Sequence, residues 1–208
     1  MQAKKGQAIK LINKDMLMTP NISLSNALWG SNSALRHGAL VAGGIAMLAL
    51  SAKVAVPMWP VPITMGTFAV LALGAAYGPR LGLATILGYM LLGALGFNVF
   101  AGSGDVSGLA YMMGGTGGYL LGFVLATVLL GYGATKGWDR SVLKMAGLLL
   151  AANVLIYLPG LAWLTVLYDM SAVKAIEVGM VPYLIGDAVK LALVALLLPM
   201  AWKLLKRK

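Results

Sequence analysis

No cysteine occurs in this sequence, which excludes disulfides, thiol nucleophiles and cysteine-ligated metals. One histidine, His37, falls short of the several imidazoles that a histidine-based metal site needs. Charge is scarce as well. Only 11% of the 208 residues are charged against 60% hydrophobic, and six acids face sixteen lysines and arginines. No soluble domain of this length buries so much apolar surface, and the mean hydropathy of +0.87 places the chain among integral membrane proteins. The motifs of intramembrane and soluble hydrolases, H-E-x-x-H, G-x-S-x-G and paired aspartates, are missing, which argues against an enzyme. So is G-x-x-x-x-G-K-[ST]. The glycine run GGTGGY (Gly114–Tyr119) follows no strand pattern, so nucleotide binding by this chain is rejected.

The net charge of +10 could suggest a nucleic-acid partner, but the distribution of the charges points to a lipid bilayer instead. Thirteen basic residues fall on one side of the hydropathy pattern: Lys4, Lys5, Lys10, Lys14, Arg36, Arg80, Lys136, Arg140, Lys144, Lys203, Lys206, Arg207 and Lys208. The other side holds only Lys53 and Lys174, beside Asp105, Asp169 and Glu177. The positive-inside rule then puts both termini in the cytoplasm and requires an even number of spans.

Six apolar stretches fit that requirement: Ala34–Val56, Thr64–Tyr77, Leu81–Phe97, Gly117–Tyr132, Leu143–Leu167 and Pro182–Trp202. The expected fold is an all-α bundle of six transmembrane helices with Gly/Pro-rich outer loops, spanning 34–208. The second and fourth stretches are shorter than the usual ~20 residues, so tilt or hidden helical length is expected there. Residues 1–33 read as a basic cytoplasmic tail with no apolar core of a secretory signal, either disordered or lying on anionic lipid.

Several features stand out along the chain. Ala42 and Ala46 form an A-x-x-x-A spacing that lets another helix approach closely, and by residues alone packing within the chain is preferred over an intermolecular contact. The connector VPMWPVPIT (Val56–Thr64) has three prolines and should be rigid and non-helical, with Trp59 as either an interfacial anchor or a lid. A second outer connector, 97–116, is glycine-dense and carries Asp105. It is either a flexible external loop or one folded into the bundle mouth to offer backbone groups to a ligand. Asn153 and Tyr157 share a helix face and either line a polar cavity or pack. Pro159–Gly160 should kink that helix.

The last stretch contains the pair on which a functional reading turns. Asp187 and Lys190 lie three residues apart, on one face of a helix. An ionisable side chain at membrane depth costs roughly 2.5 to 3.5 kcal/mol on insertion scales and marks a functional site by default. The competing reading is a structural ion pair. From the hydropathy boundary, Asp187 should lie roughly 7.5 Å below the outer helix end and Lys190 about 12 Å below it.

Four ordered motifs carry a resemblance: VPMWPVPITMGTF (Val56–Phe68), GYMLLGALGFNVFAG (Gly88–Gly102), GGTGGYLLGF (Gly114–Phe123) and G-D-x-x-K (Gly186–Lys190). From about Ala34 onward the chain resembles the BioY family, the biotin-specific substrate-binding (S) components of energy-coupling-factor (ECF) vitamin transporters. The resemblance implies high-affinity capture of external biotin by a multi-pass protein of a bacterial-type cytoplasmic membrane. It implies no cofactor of the chain's own, ATP being used only by partner subunits, namely two ATPases bound to a transmembrane coupling protein. It makes Ala42 and Ala46 the docking surface for that coupling protein. It carries the family's ligand contacts to Asp187 and Lys190, with Asp105, Trp59, Tyr119, Asn153 and Tyr157 as further candidates. Two departures matter: Leu120 stands where some relatives have Arg, and some relatives place Asn near Asp105. A proton-coupled carrier with Asp187 as relay, an S component for another vitamin and a non-transporting scaffold are the competing classes.

Overall fold

The computed structural model describes residues 23–29, 33–101 and 106–206, and most of them are helical. Within a bilayer an uncharged apolar run has only its own backbone to bond with, and the helix satisfies each N–H and C=O inside one segment. In chain order the elements are α1 (Leu24–Trp29), α2 (Ala34–Lys53), β1 (Ala55–Val56), β2 (Ile63–Thr64), α3 (Gly66–Ala94), α4 (Gly108–Met112), α5 (Gly117–Thr135), α6 (Val142–Leu167), α7 (Ala172–Gly179) and α8 (Leu184–Lys206). Single 3-10 turns at Trp138–Arg140 and Val181–Tyr183 precede α6 and α8. Five segments are long and apolar enough to cross a membrane: α2, α3, α5, α6 and the run Ala172–Leu205 that holds α7 and α8.

The second and third predicted stretches are thus one element, α3, but not one straight helix. Helical dihedrals break at Gly78, with φ 76° and ψ 176°, where glycine adopts a conformation that L side chains rarely take. Pro79 follows, suited to starting a new helical segment because its missing N–H has no partner to lose there. A Cβ on Gly82 would lie 3.7 Å from the Cα of Gly74. Eight residues of straight helix rise about 12 Å, so the chain doubles back at Gly78. The kink expected at Pro159–Gly160 is not a break, since α6 runs continuously through both residues.

Close approach sets the bundle. A Cβ on Gly118 would come 2.2 Å from the carbonyl oxygen of Pro159, so α5 meets α6 at a distance that only glycine permits. Leu71, Leu130, Met145, Leu149, Val194 and Trp202 join α3, α5, α6 and α8 in one core. A second cluster, including Leu48, Val70, Ile86 and Phe100, lies between α2, both halves of α3 and the loop after it.

Two stretches differ from the sequence expectation. Leu24–Trp29, inside the expected tail, is helical; Leu24 enters the core, and the Arg36 guanidinium donates to the Ser25 carbonyl at 3.1 Å. Residues 1–22 lie outside the described residues. The outer connectors are not plain loops either. Residues 55–56 pair antiparallel with 63–64, and α4 sits inside the glycine-dense stretch. Internal packing of Ala42 and Ala46 is corrected as well. Both are exposed, and α2 faces the bundle through Gly44, Leu48 and Ala52 instead.

Candidate functional site

The end of the bundle that carries both connectors encloses a cavity of about 670 Å³, its open mouth included. Its walls are drawn from elements far apart in sequence. Ala52 ends α2; Val61, Pro62 and Thr64 come from the β1–β2 connector; Gly66, Thr67 and Tyr89 come from α3. Phe100, Tyr111 and Thr116 belong to the second connector, Tyr119, Leu120 and Phe123 to α5, Ile156 and Tyr157 to α6, Tyr183 to the 3-10 turn before α8 and Asp187 to the start of α8. Five of the eight tyrosines of the chain line this one space.

Asp187 is the acid in the wall. The 3-10 turn at Val181–Tyr183 consumes the residues expected to open the last helix, so α8 starts at Leu184 and Asp187 lies in its first turn. It is therefore about 4.5 Å below the helix start rather than the expected 7.5 Å, and the N-terminal end of the helix dipole favours its negative charge. Lys190, one turn deeper, donates to Asp187 Oδ1 at 3.1 Å. Tyr157 donates its phenolic proton to Asp187 Oδ2 at 2.6 Å. Asp187 and Lys190 are each only 5% exposed, so the pair survives out of water because each oxygen has a donor and the charges cancel.

The tyrosines around the acid are fixed by bonds that leave their rings to face the cavity. Tyr183 donates to the Val61 carbonyl, which pins the connector across the mouth to α8. Tyr119 donates to the Gly179 carbonyl at 2.7 Å, with its ring edge-on to Tyr157 at 6.3 Å. Tyr111 stacks on Phe100 at 4.9 Å and Tyr89 meets Phe100 edge-on at 5.2 Å, giving an aromatic wall on the side of α3. Thr64 Oγ1 accepts from the Gly66 N–H at 3.0 Å, which leaves its own proton for another acceptor.

The sequence candidates divide. Asp187, Tyr157 and Tyr119 line the cavity together. Lys190 touches Asp187 but lines a separate hollow of about 790 Å³, open side included, between the hairpin and α8 (Val56, Ile63, Val189, Leu193). Trp59 is set apart from the cavity: it is 66% exposed and packs on Tyr168, the turn of the hairpin carrying it outward while Val61 and Pro62 face in. Asn153 is set apart as well. It sits one turn deeper than Tyr157, outside the cavity lining, and its buried Oδ1 has no hydrogen-bond partner. Asp105 lies outside the described residues. Tyr89, Phe100, Tyr111, Tyr183 and the three threonines were missed, since a lone aromatic or hydroxyl in an apolar helix or a glycine-rich connector carries no signal of its own. The concentration of tyrosine toward one end of the helices is a pattern that points to Tyr89, Tyr111 and Tyr183, though not to Phe100 or the threonines.

A model of the BioY family matches residues 20–207, so the likeness begins earlier than the Ala34 read from motifs. Over 153 residues the chain is 39% identical to a probable biotin transporter BioY of Pyrococcus horikoshii, covering 74% of this chain and 88% of that protein. It is 34% identical over 160 residues to the biotin transporter BioY of Thermotoga maritima, covering 76% and 92%. Among solved structures it is similar to the S-component for biotin from an ECF-type ABC transporter. That match has a TM-score of 0.73 at 20% identity and covers 83% of this chain and 95% of the other, a likeness of fold.

Proposed function

The chain belongs to the BioY family, and from that premise we propose that it captures biotin from the external side of the membrane, as the S component of an ATP-driven ECF transporter. The observation that carries this reading is the buried acid of α8, bonded by Lys190 and Tyr157, on the wall of a cavity otherwise lined by apolar and aromatic side chains and three threonines. Biotin needs such a site: its ureido ring offers two N–H donors and a C=O acceptor, and its thiophane ring and tail are apolar. Each Asp187 oxygen holds one donor and has a lone pair left, so it accepts a ureido N–H without losing its neighbours. The Thr64 hydroxyl supplies a donor for the ureido oxygen. Tyr89, Phe100 and Tyr111 form the wall for the ring faces. With Leu120 in the lining, the tail carboxylate reaches no arginine there and leaves through the mouth.

The chain crosses the membrane six times in this reading, the two halves of α3 on either side of Gly78 counting as separate crossings. Arg36, Arg80, Lys136, Arg140, Lys144 and Lys203 then belong to the cytoplasmic end, together with both termini. Contacts support a shared end: Arg36 bonds the Ser25 carbonyl, Gly78 abuts Ser23, Gly131 abuts Pro79, and Trp202 bonds Asp139. Ala42 and Ala46, exposed on a helix whose apolar window is only 11% buried, form the docking face for a transmembrane coupling protein that carries two ATPases.

Calorimetric titration of the purified chain in detergent tests the proposal. Tight binding of biotin and none of thiamine or riboflavin is expected. Tight binding of either of the others, or none of biotin, contradicts it.

A further inference from the structure

Lys53 is the last residue of α2, where a lysine ordinarily turns back to the free carbonyls of its own helix end. Here it reaches away. Its ammonium donates to Asn98 Oδ1 at 2.6 Å and to the Phe100 carbonyl at 2.5 Å, forty-five and forty-seven residues on. Phe100 faces the cavity from this loop, beside Ala101. Its ring lies over bare backbone, since a Cβ on Gly93 would fall 2.0 Å from Phe100 Cζ. Tyr89 also holds the loop, donating to the Val99 carbonyl at 3.2 Å, but Tyr89 belongs to α3, the helix that leads directly into the loop. The bonds from Lys53 instead tie the loop to a different helix. Its neighbours in sequence belong to the same rim: Ala52 lines the cavity, and the Val54 carbonyl accepts the Met65 N–H at the base of the hairpin.

Resting on the reading that this cavity holds biotin, we propose that Lys53 is a positioning residue for ligand retention. It holds the backbone of Phe100 to the outer end of α2, which keeps the aromatic wall closed over the bound molecule. Displacement of α2 against α3 opens that wall. The helix is suited to moving as a rod, because little of it is buried in the bundle. Ala42 and Ala46 lie on the same rod, about 10 to 17 Å from Lys53 along its axis. A partner seated there acts on the Phe100 wall through one lysine.

The test measures association and dissociation rates of biotin and of biotinamide, which lacks the tail carboxylate, on the purified full chain. Lys53→Met is expected to raise dissociation of both ligands about tenfold, with association and thermal stability little changed. Lys53→Arg, able to donate to both acceptors, is expected to restore most of the retention. Asn98→Ala, which leaves the Phe100 carbonyl in place, is expected to give a smaller rise, about threefold, and serves if Lys53→Met does not fold. A Lys53→Met effect confined to biotin makes the lysine a carboxylate contact and overturns the positioning role. Wild-type dissociation rates in Lys53→Met overturn this inference alone. A wild-type chain that binds neither ligand overturns the functional reading and this inference with it.

Discussion

An aspartate is buried at each end of the bundle, and the two are surrounded differently. Asp187 at the cavity end has both oxygens bonded, a lysine one turn away and open space beside it. Asp139, in the 3-10 turn before α6, is fully buried at the other end; Oδ2 accepts the Trp202 indole N–H at 2.6 Å, and Oδ1 has no hydrogen-bond partner. The Arg140 guanidinium stacks over the same indole at 4.3 Å. Burial pushes the Asp139 carboxyl up to about 6, against the opposing pull of the Trp202 bond and the Arg140 charge. What separates the two acids is therefore not burial, which they share. It is whether the neighbours leave lone pairs facing a space that a ligand can enter.

The contrast breaks most visibly at Asp187. Asp187→Asn should weaken biotin binding by about 100-fold or more, because it removes a charge-assisted acceptor and leaves Lys190 buried without its counter-charge. Asp139→Asn should leave affinity within about twofold by the same titration. Equal losses at the two ends would abolish the distinction drawn here. At the other end, Trp202→Phe should cost about 2 kcal/mol of stability in detergent unfolding, since a buried acceptor loses its donor, while biotin affinity holds. Tyr157→Phe should lower biotin affinity about tenfold, as it loosens Asp187 without removing it. The smallest effect concerns pH. The folded pKa of Asp139 lies above its ordinary value of 3.8, so the folded state binds more protons between about pH 4 and 6. Its contribution to stability is present at acid pH and is lost as pH rises through about 6. Thermal unfolding should register about 1 kcal/mol less stability at pH 7 than at pH 5 relative to Asp139→Asn, whose curve lacks this slope.

Much of the bundle could be read from residue order, because apolar runs of fixed length and lopsided loop charge are properties of contiguous sequence. The reversal at Gly78–Pro79 falls in the short gap between two predicted stretches. Asp187 was legible for a similar reason: a charge within an apolar run needs no partner to be noticed. The cavity wall was not, since Tyr89, Phe100, Tyr111 and Tyr183 come together only when four elements close on one another. The outward position of Trp59 was not legible, since it lies in the turn between the paired residues 55–56 and 63–64, and a proline-rich run does not announce which residue turns inward. Lys53 counted toward orientation, and nothing in its sequence neighbourhood points to Asn98. Asp139 drew no attention, because an acid between helices is ordinarily solvated and only the arrival of Trp202 buries it.

Removing the buried ion pair of α8 as a unit isolates the central claim from the cost of an orphaned ion. Asp187→Asn combined with Lys190→Leu discards the salt bridge but leaves no uncompensated charge in the bundle. Titration of that double variant with biotin should show a protein that unfolds at or above the wild-type temperature yet takes up no ligand. Wild-type affinity in the double variant would contradict the account, reducing the pair to a dispensable structural bond.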